Sequence, residues 1–237
     1  MLPNTKTPFR PHTRMLDLLN RKSAVLLFLE HFEVDFRLGN KTVRQICREY
    51  NIDEEAFILI GNLYNGILPE AGELCNARSL DSIINFLHSS HQFYKEDKYP
   101  EIMDLLASLH EDQHSKDAML LEQFFKDYFQ EVLEHLAYEE EIAFPYFRSL
   151  LDKGNEWKGK DYSAGDYMEH HSDIESKLED LKNLMLKHIS IKGRLNLKRR
   201  FLNSLFELEF DLKTHSMIEE EILVPLVEKL EKDKIDG

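Results

Sequence analysis

Two stretches of this chain repeat one arrangement of chemically capable residues. His135-Leu136-Ala137-Tyr138-Glu139-Glu140-Glu141-Ile142 is followed by Pro145, and His215-Ser216-Met217-Ile218-Glu219-Glu220-Glu221-Ile222 by Pro225. Both read His-x-x-x-Glu-Glu-Glu-Ile, with a proline ten residues after the histidine. Four residues of α-helix turn the side chains through about 400°, so the histidine and the first glutamate share a face, one turn apart. An imidazole nitrogen and a carboxylate oxygen placed in this way can reach one metal ion or a close pair of ions. A single such pair on an acidic helix is ordinarily a solvated ion pair. Two pairs in register point to a shared metal site.

The spacing selects further ligands. The two copies lie 215 − 135 = 80 residues apart, and His91 and His171 are also 80 apart. Each of these precedes its His-x-x-x-Glu by 44 residues (135 − 91 and 215 − 171). The neighbouring histidines do not obey the repeat, since Met168 stands 80 residues after His88 and Ser90 stands 80 before His170. The expected ligands are therefore His91, His135, Glu139, His171, His215 and Glu219, enough for two metal ions with both glutamates bridging. A mixed imidazole and carboxylate set suits iron or manganese better than a metal that prefers thiolates, and it can also serve zinc. Glu140, Glu141, Glu220 and Glu221 read as solvated or supporting neighbours, and Pro145 and Pro225 as kinks or ends of their helices. His110 and His114 form an i,i+4 pair with no counterpart in the repeat, while His12, His31 and His188 read as surface or partly buried residues. A ferritin-like oxidase would need two Glu-x-x-His pairs, and only Glu111-Asp112-Gln113-His114 has that form. A nucleophile elbow and a phosphate-cradling glycine loop are both missing.

The elements that must position these residues are helical. Nine glycines and seven prolines in 237 residues leave few places to turn. Amphipathic periodicity predicts four long helices over 80–110, 115–151, 163–189 and 195–232, with a loop over 152–160. An all-α fold is expected, an antiparallel four-helix bundle over 80–232 preceded by a small helical domain over 1–70, a linker over 71–79 and a tail over 233–237. Residues 1–12, with three prolines, read as an arm. Within the small domain, Thr42-Val43-Arg44-Gln45 has the form of a capping box and Asn51-Ile52-Asp53 that of a turn into another helix. Thr42 to Tyr64 thus has a helix–turn–helix look, but residues 1–70 carry nine basic and nine acidic side chains, so no basic patch for nucleic acid is expected. Leu26, Phe28, Leu29, Phe57, Ile58 and Ile60 exceed what so small a domain would bury alone, which predicts pairing of two copies.

Composition closes off other classes. The net charge of −14 disfavours nucleic acid and anionic membrane surfaces. The longest apolar run, Ala24 to Leu29, is far shorter than the roughly 20 residues a membrane span needs. With no apolar leader segment, a cytoplasmic location is expected. Cys47 and Cys75 make no disulfide framework; Cys47 reads as a packed helix residue and Cys75 as an exposed linker residue.

Ser90-His91-Gln92-Phe93-Tyr94, His135-Leu136-Ala137-Tyr138-Glu139-Glu140, Glu169-His170-His171 and His215-Ser216-Met217-Ile218-Glu219 together resemble the hemerythrin-like domains, in particular the iron–sulfur cluster repair di-iron group. Oxygen-carrying hemerythrins usually have a fifth histidine and end in His-x-x-x-x-Asp, whereas here Glu219 stands four residues after His215. Residues 28–43, with Gly39-Asn40-Lys41-Thr42-Val43 at their end, look like the short helical domain that precedes the bundle in the repair group. That domain normally carries a Cys-Cys pair where this chain has Arg37-Leu38. The resemblance implies a non-haem centre of two iron ions, oxo- and carboxylate-bridged, in a protein of the nitrosative and oxidative stress response. Its partners would be nitric oxide or oxygen species, bound or reduced, and damaged iron–sulfur proteins that receive iron. The competing expectation is a non-catalytic sensor in which the same centre binds a diatomic gas and signals through the N-terminal domain.

Overall fold

Helix is the only repeating structure that the described residues form. The computed structural model describes residues 6–70, 75–111, 116–151, 162–170, 174–188 and 195–235. The expected loop over 152–160, part of the expected linker, all of His114 and His171, and the side chains of His110 and His188 lie outside them. No β-strand occurs among the described residues, only one antiparallel bridge between Arg14 and Thr42. None of their helices is long and apolar enough to cross a membrane.

The short helices are α1 (Met15–Leu19), α2 (Val25–His31), α3 (Val43–Tyr50) and α4 (Glu54–Tyr64). The first predicted long helix is α5 (Ser79–Gln92), a π-helical stretch Phe93–Lys98 and α6 (Tyr99–Glu111). The second is α7 (Lys116–Tyr138), a π-helical Glu139–Ala143 and α8 (Phe144–Ser149). The third contains α9 (Ala164–His170) and α10 (Ile174–His188), and the fourth α11 (Leu195–Ile218), a π-helical Glu219–Leu223 and α12 (Val224–Ile235).

All three π-helical stretches among the described residues share one sequence feature. Each is followed by a helix whose second residue is proline: Pro100, Pro145 and Pro225. Proline has no N–H to donate to the carbonyl four residues back, and its ring collides with that carbonyl in a regular α-helix. A π turn holds one extra residue and moves the carbonyls of Glu96, Glu141 and Glu221 away from the ring. The prolines expected to kink or end their helices are therefore absorbed by a widened turn, and the chain stays helical through them.

The chain divides into two compact units. The first comprises residues 1–90, 143–169 and 214–237. Its start is fixed by local chemistry: Thr42 and Gln45 make both bonds of a capping box on α3, and Asn51 ends that helix in the left-handed conformation at φ 55°. Asp53 then caps α4, accepting from Ala56 N at 2.9 Å, and takes a further bond from the Ser79 hydroxyl at 2.7 Å. Aromatic rings fill the core here, with Phe28 against Phe57 at 4.6 Å and Phe32 against Phe86 at 4.7 Å between centroids. Residues 6–12 are no free arm. Phe9 is buried, packs edge-on to Phe28 at 5.1 Å and donates from its backbone N–H to Asn62 Oδ1 at 2.8 Å. Cys75, expected to be exposed, is buried as well, and so is His31. Of the apolar residues behind the expected pairing of copies, Phe28, Leu29, Phe57 and Ile60 are buried within one chain, and Leu26 stays exposed. Further along this unit, Glu231 accepts from the Tyr146 hydroxyl at 2.8 Å and from Ala164 N, in the first turn of α9, at 2.9 Å.

The second unit comprises residues 91–142 and 170–213, where α6 and α10 each pack on α7. Tyr99 stacks on Phe129 with centroids 4.0 Å apart. Tyr94 donates its buried hydroxyl to Asp211 Oδ2 at 2.9 Å. Lys98 is buried over the Phe93 ring, and its ammonium is offset by Glu101 at 2.6 Å and Glu207 at 2.5 Å.

Candidate metal centre

Both copies of His-x-x-x-Glu fold alike. The histidine sits in the last turn of a long α-helix, and the glutamate is the first residue of the adjoining π-helical stretch. His135 Nε2 lies 3.3 Å from Glu139 Oε1, and His215 Nε2 lies 3.1 Å from Glu219 Oε1. The i,i+4 relation brings each pair together, as their spacing requires.

In the second unit, His91 reaches the same glutamate from the end of α5. Its Nε2 is 3.2 Å from Glu139 Oε2, so each oxygen of Glu139 faces one imidazole, His135 on one side and His91 on the other. His91 and Glu139 are fully buried. Burial disfavours charge on both, yet the hydrogen bonds outweigh it. Those to Glu139 and Glu140 raise the His91 pKa, and those from His135 and His91 hold the Glu139 carboxyl well below the ordinary carboxylate range. The far side of the His91 ring is also occupied, with Nδ1 2.9 Å from Glu140 Oε1. Lys95 Nζ reaches the same oxygen at 2.9 Å. Hydrogen bonding to His91, and then to Lys95, brings the Glu140 carboxyl down to about 2 against the opposing effect of burial.

In the first unit, His215 and Glu219 are both buried. The outer nitrogen of this ring is held as well: His215 Nδ1 lies 2.8 Å from Ser90 Oγ, and Ser90 Oγ donates to the Leu87 carbonyl at 2.7 Å.

Histidine and glutamate side chains fall into three groups among the described residues that could hold a metal ion, drawn from His88, His91, His135, Glu139, Glu140, His215 and Glu219. The donor chemistry fits a metal of intermediate hardness: imidazole nitrogens and carboxylate oxygens face each other out of water, and both cysteines are buried in the unit-one residues Cys47 and Cys75. Five of the six expected ligands are described, and each is placed against a partner of the complementary type. The sixth, His171, lies outside the described residues. Of the rejected neighbours, His88 is exposed, and His170 is exposed with its ring stacked on Tyr138 at 4.9 Å.

The sequence pattern is silent on the positions around the expected ligands. Glu140 is equally compatible with solvent, Lys95 carries no signal, and Ser90 is visible only as the repeat partner of His170. One signal was available: Pro100 stands nine residues after His91, much as Pro145 and Pro225 stand ten after their histidines, and it marks the third π-helical stretch. No protein-family model matches the sequence, and neither does any curated protein.

Proposed function

We propose that this chain is a non-haem di-iron-binding protein of the hemerythrin-like type, with the iron–sulfur cluster repair group as its nearest kind and a role in nitrosative and oxidative stress. The proposed architecture is an antiparallel four-helix bundle preceded by a small helical domain. One observation carries the reading: two His-x-x-x-Glu segments, 80 residues apart, fold into the same helix-to-π-turn around a buried glutamate, with Nε2-to-Oε contacts of 3.3 and 3.1 Å. Solvated surface pairs would have no reason to share both burial and this uncommon backbone.

In this reading His91, His135, His171 and His215 hold the two ions from their sides and Glu139 and Glu219 bridge them. Glu139 already presents one oxygen to each of two imidazoles, the stance a bridging carboxylate needs. Iron at such a site supplies a redox-active Lewis acid whose coordination is left short of six by these ligands, with room for nitric oxide, dioxygen or peroxide. The burial of His91, Glu139, His215 and Glu219 limits water there. The absence of a Cys-Cys pair at Arg37-Leu38, with Cys47 buried, favours gas chemistry over thiol-assisted delivery of iron.

The test is metal content and optical spectrum of anaerobically purified protein, before and after nitric oxide. About two irons per chain, a near-ultraviolet charge-transfer band and a spectral shift with nitric oxide are expected, and Glu139→Gln and Glu219→Gln should each lose iron. Turnover to nitrous oxide would separate a reductase from a gas-binding sensor. Protein that carries zinc or no metal and does not respond to nitric oxide would overturn the reading.

A further inference from the structure

We propose that Glu140, clamped by Lys95, and Ser90 are positioning residues that fix the tautomer and aim of His91 and His215, and that they make these two ligands unequal donors. The inference rests on the metal-binding reading above. A neutral imidazole carries one proton, and the nitrogen that binds a metal must be the other one. His91 points Nε2 at Glu139 and His215 points Nε2 at Glu219, so in both rings the proton must sit on Nδ1 when a metal is bound.

Each Nδ1 has an acceptor built for that proton. Glu140 Oε1 stands 2.9 Å from His91 Nδ1, and Lys95 Nζ binds the same oxygen at 2.9 Å, which holds the carboxylate in place. Ser90 Oγ spends its single proton on the Leu87 carbonyl, 2.7 Å away, so only its lone pairs are left for His215 Nδ1 at 2.8 Å. Both arrangements select the Nδ1–H tautomer, by different chemistry. A carboxylate pulls the Nδ1 proton strongly and leaves Nε2 of His91 the more basic donor, whereas a hydroxyl leaves His215 close to an ordinary imidazole. The internal repeat does not impose this asymmetry: the position equivalent to Ser90 is His170, and that equivalent to Lys95 is Glu175 (90 + 80 and 95 + 80).

The test uses the full chain, freed of metal and reloaded with Zn(II), a diamagnetic probe, with 15N-labelled histidine. Wild type should show His91 and His215 as Nδ1–H rings bound through Nε2, with the Nδ1 proton of His91 the further downfield. Glu140→Gln should shift the Nδ1 signal of His91 alone, Ser90→Ala that of His215 alone, and Lys95→Met should partly reproduce Glu140→Gln without touching a buried group. Chelator competition should show a loss of zinc affinity of about ten- to hundredfold for Glu140→Gln and Ser90→Ala. A merely structural role would not move one ring's signal and leave the other unchanged. Zinc bound by all variants with wild-type affinity and unshifted Nδ1 signals would overturn this inference and spare the metal-binding reading. A wild-type chain that binds no zinc and no iron would overturn both. Should Ser90→Ala fail to fold by circular dichroism, Glu140→Gln and Lys95→Met still decide the His91 half and Ser90→Thr, which keeps the hydroxyl, decides the other.

Discussion

Cys47 is the residue on which any thiol chemistry of the N-terminal helices would have to rest. Its side chain is buried on α3, and burial, reinforced by the charges of Glu54 and Asp53, pushes the thiol up to about 12. The thiolate is the reactive form, and at pH 8 only about one thiol in ten thousand would be ionised at any moment, which slows alkylation even where the reagent has access. Folded protein treated with iodoacetamide at pH 8 should therefore leave Cys47 unmodified by mass spectrometry, while guanidinium should expose it to complete labelling. Labelling of folded protein at the rate of an ordinary thiol would contradict the burial and reopen a redox role. The proposed ligands differ in kind: Glu139 and His91 are buried ionisable groups that stabilise each other's charged forms, an arrangement common where chemistry is done and costly elsewhere.

Each of the three π-helical stretches among the described residues lies between a helix that carries a proposed ligand and a proline. If proline creates the widened turn, then Pro145→Ala and Pro225→Ala allow a regular α-helix to re-form through Glu139–Ala143 and Glu219–Leu223. The buried Phe147, Leu226 and Val227 keep the following segments in place, so the change is confined to the turns that carry Glu139 and Glu219 and moves these carboxylates relative to their histidines. The metal-free variants should unfold within about 1 kcal/mol of the parent, since alanine is no worse than proline in a helix. Their metal affinity should fall by tenfold or more, read by chelator competition. Stability and affinity falling together would mean that the prolines serve packing alone. The capping of α3 and α4 belongs with these local effects: Thr42, Gln45, Asn51 and Asp53 act within a few residues of themselves, which is why the boundaries of both helices are legible in the sequence.

Contacts between distant segments hold the first unit together, and Phe9 shows how. It sits over Gly61 of α4, where a Cβ would come within 2.5 Å of the ring. Gly61→Ala should cost about 1–3 kcal/mol by overpacking, and Phe9→Ala about 3–5 kcal/mol through the cavity it leaves. In the Phe9→Ala background the alanine at position 61 has room, so the two losses should be clearly less than additive in denaturant titrations. Full additivity would show that the ring does not rest on that glycine.

Helical character, the starts of α3 and α4, and the two His-x-x-x-Glu pairs are all readable from sequence. Each depends on residues no more than a turn apart, and the geometry of one turn is the same wherever it occurs. The 80-residue repeat extends that reach by comparing like with like, and His91, which it selects, is buried against Glu139 while His88 is exposed. Spacing is silent on residues that the chain keeps far apart. His91 meets Glu140 across 49 positions, His215 meets Ser90 across 125, Phe9 lies on Gly61, and Cys75 is buried where a linker residue was expected to be exposed. Periodicity says which face of a helix a side chain occupies, but only the packing of helices decides what stands opposite that face. For this reason the two histidine–glutamate pairs are visible in the sequence, and the groups facing the outer nitrogens of His91 and His215 emerge only from the tertiary structure.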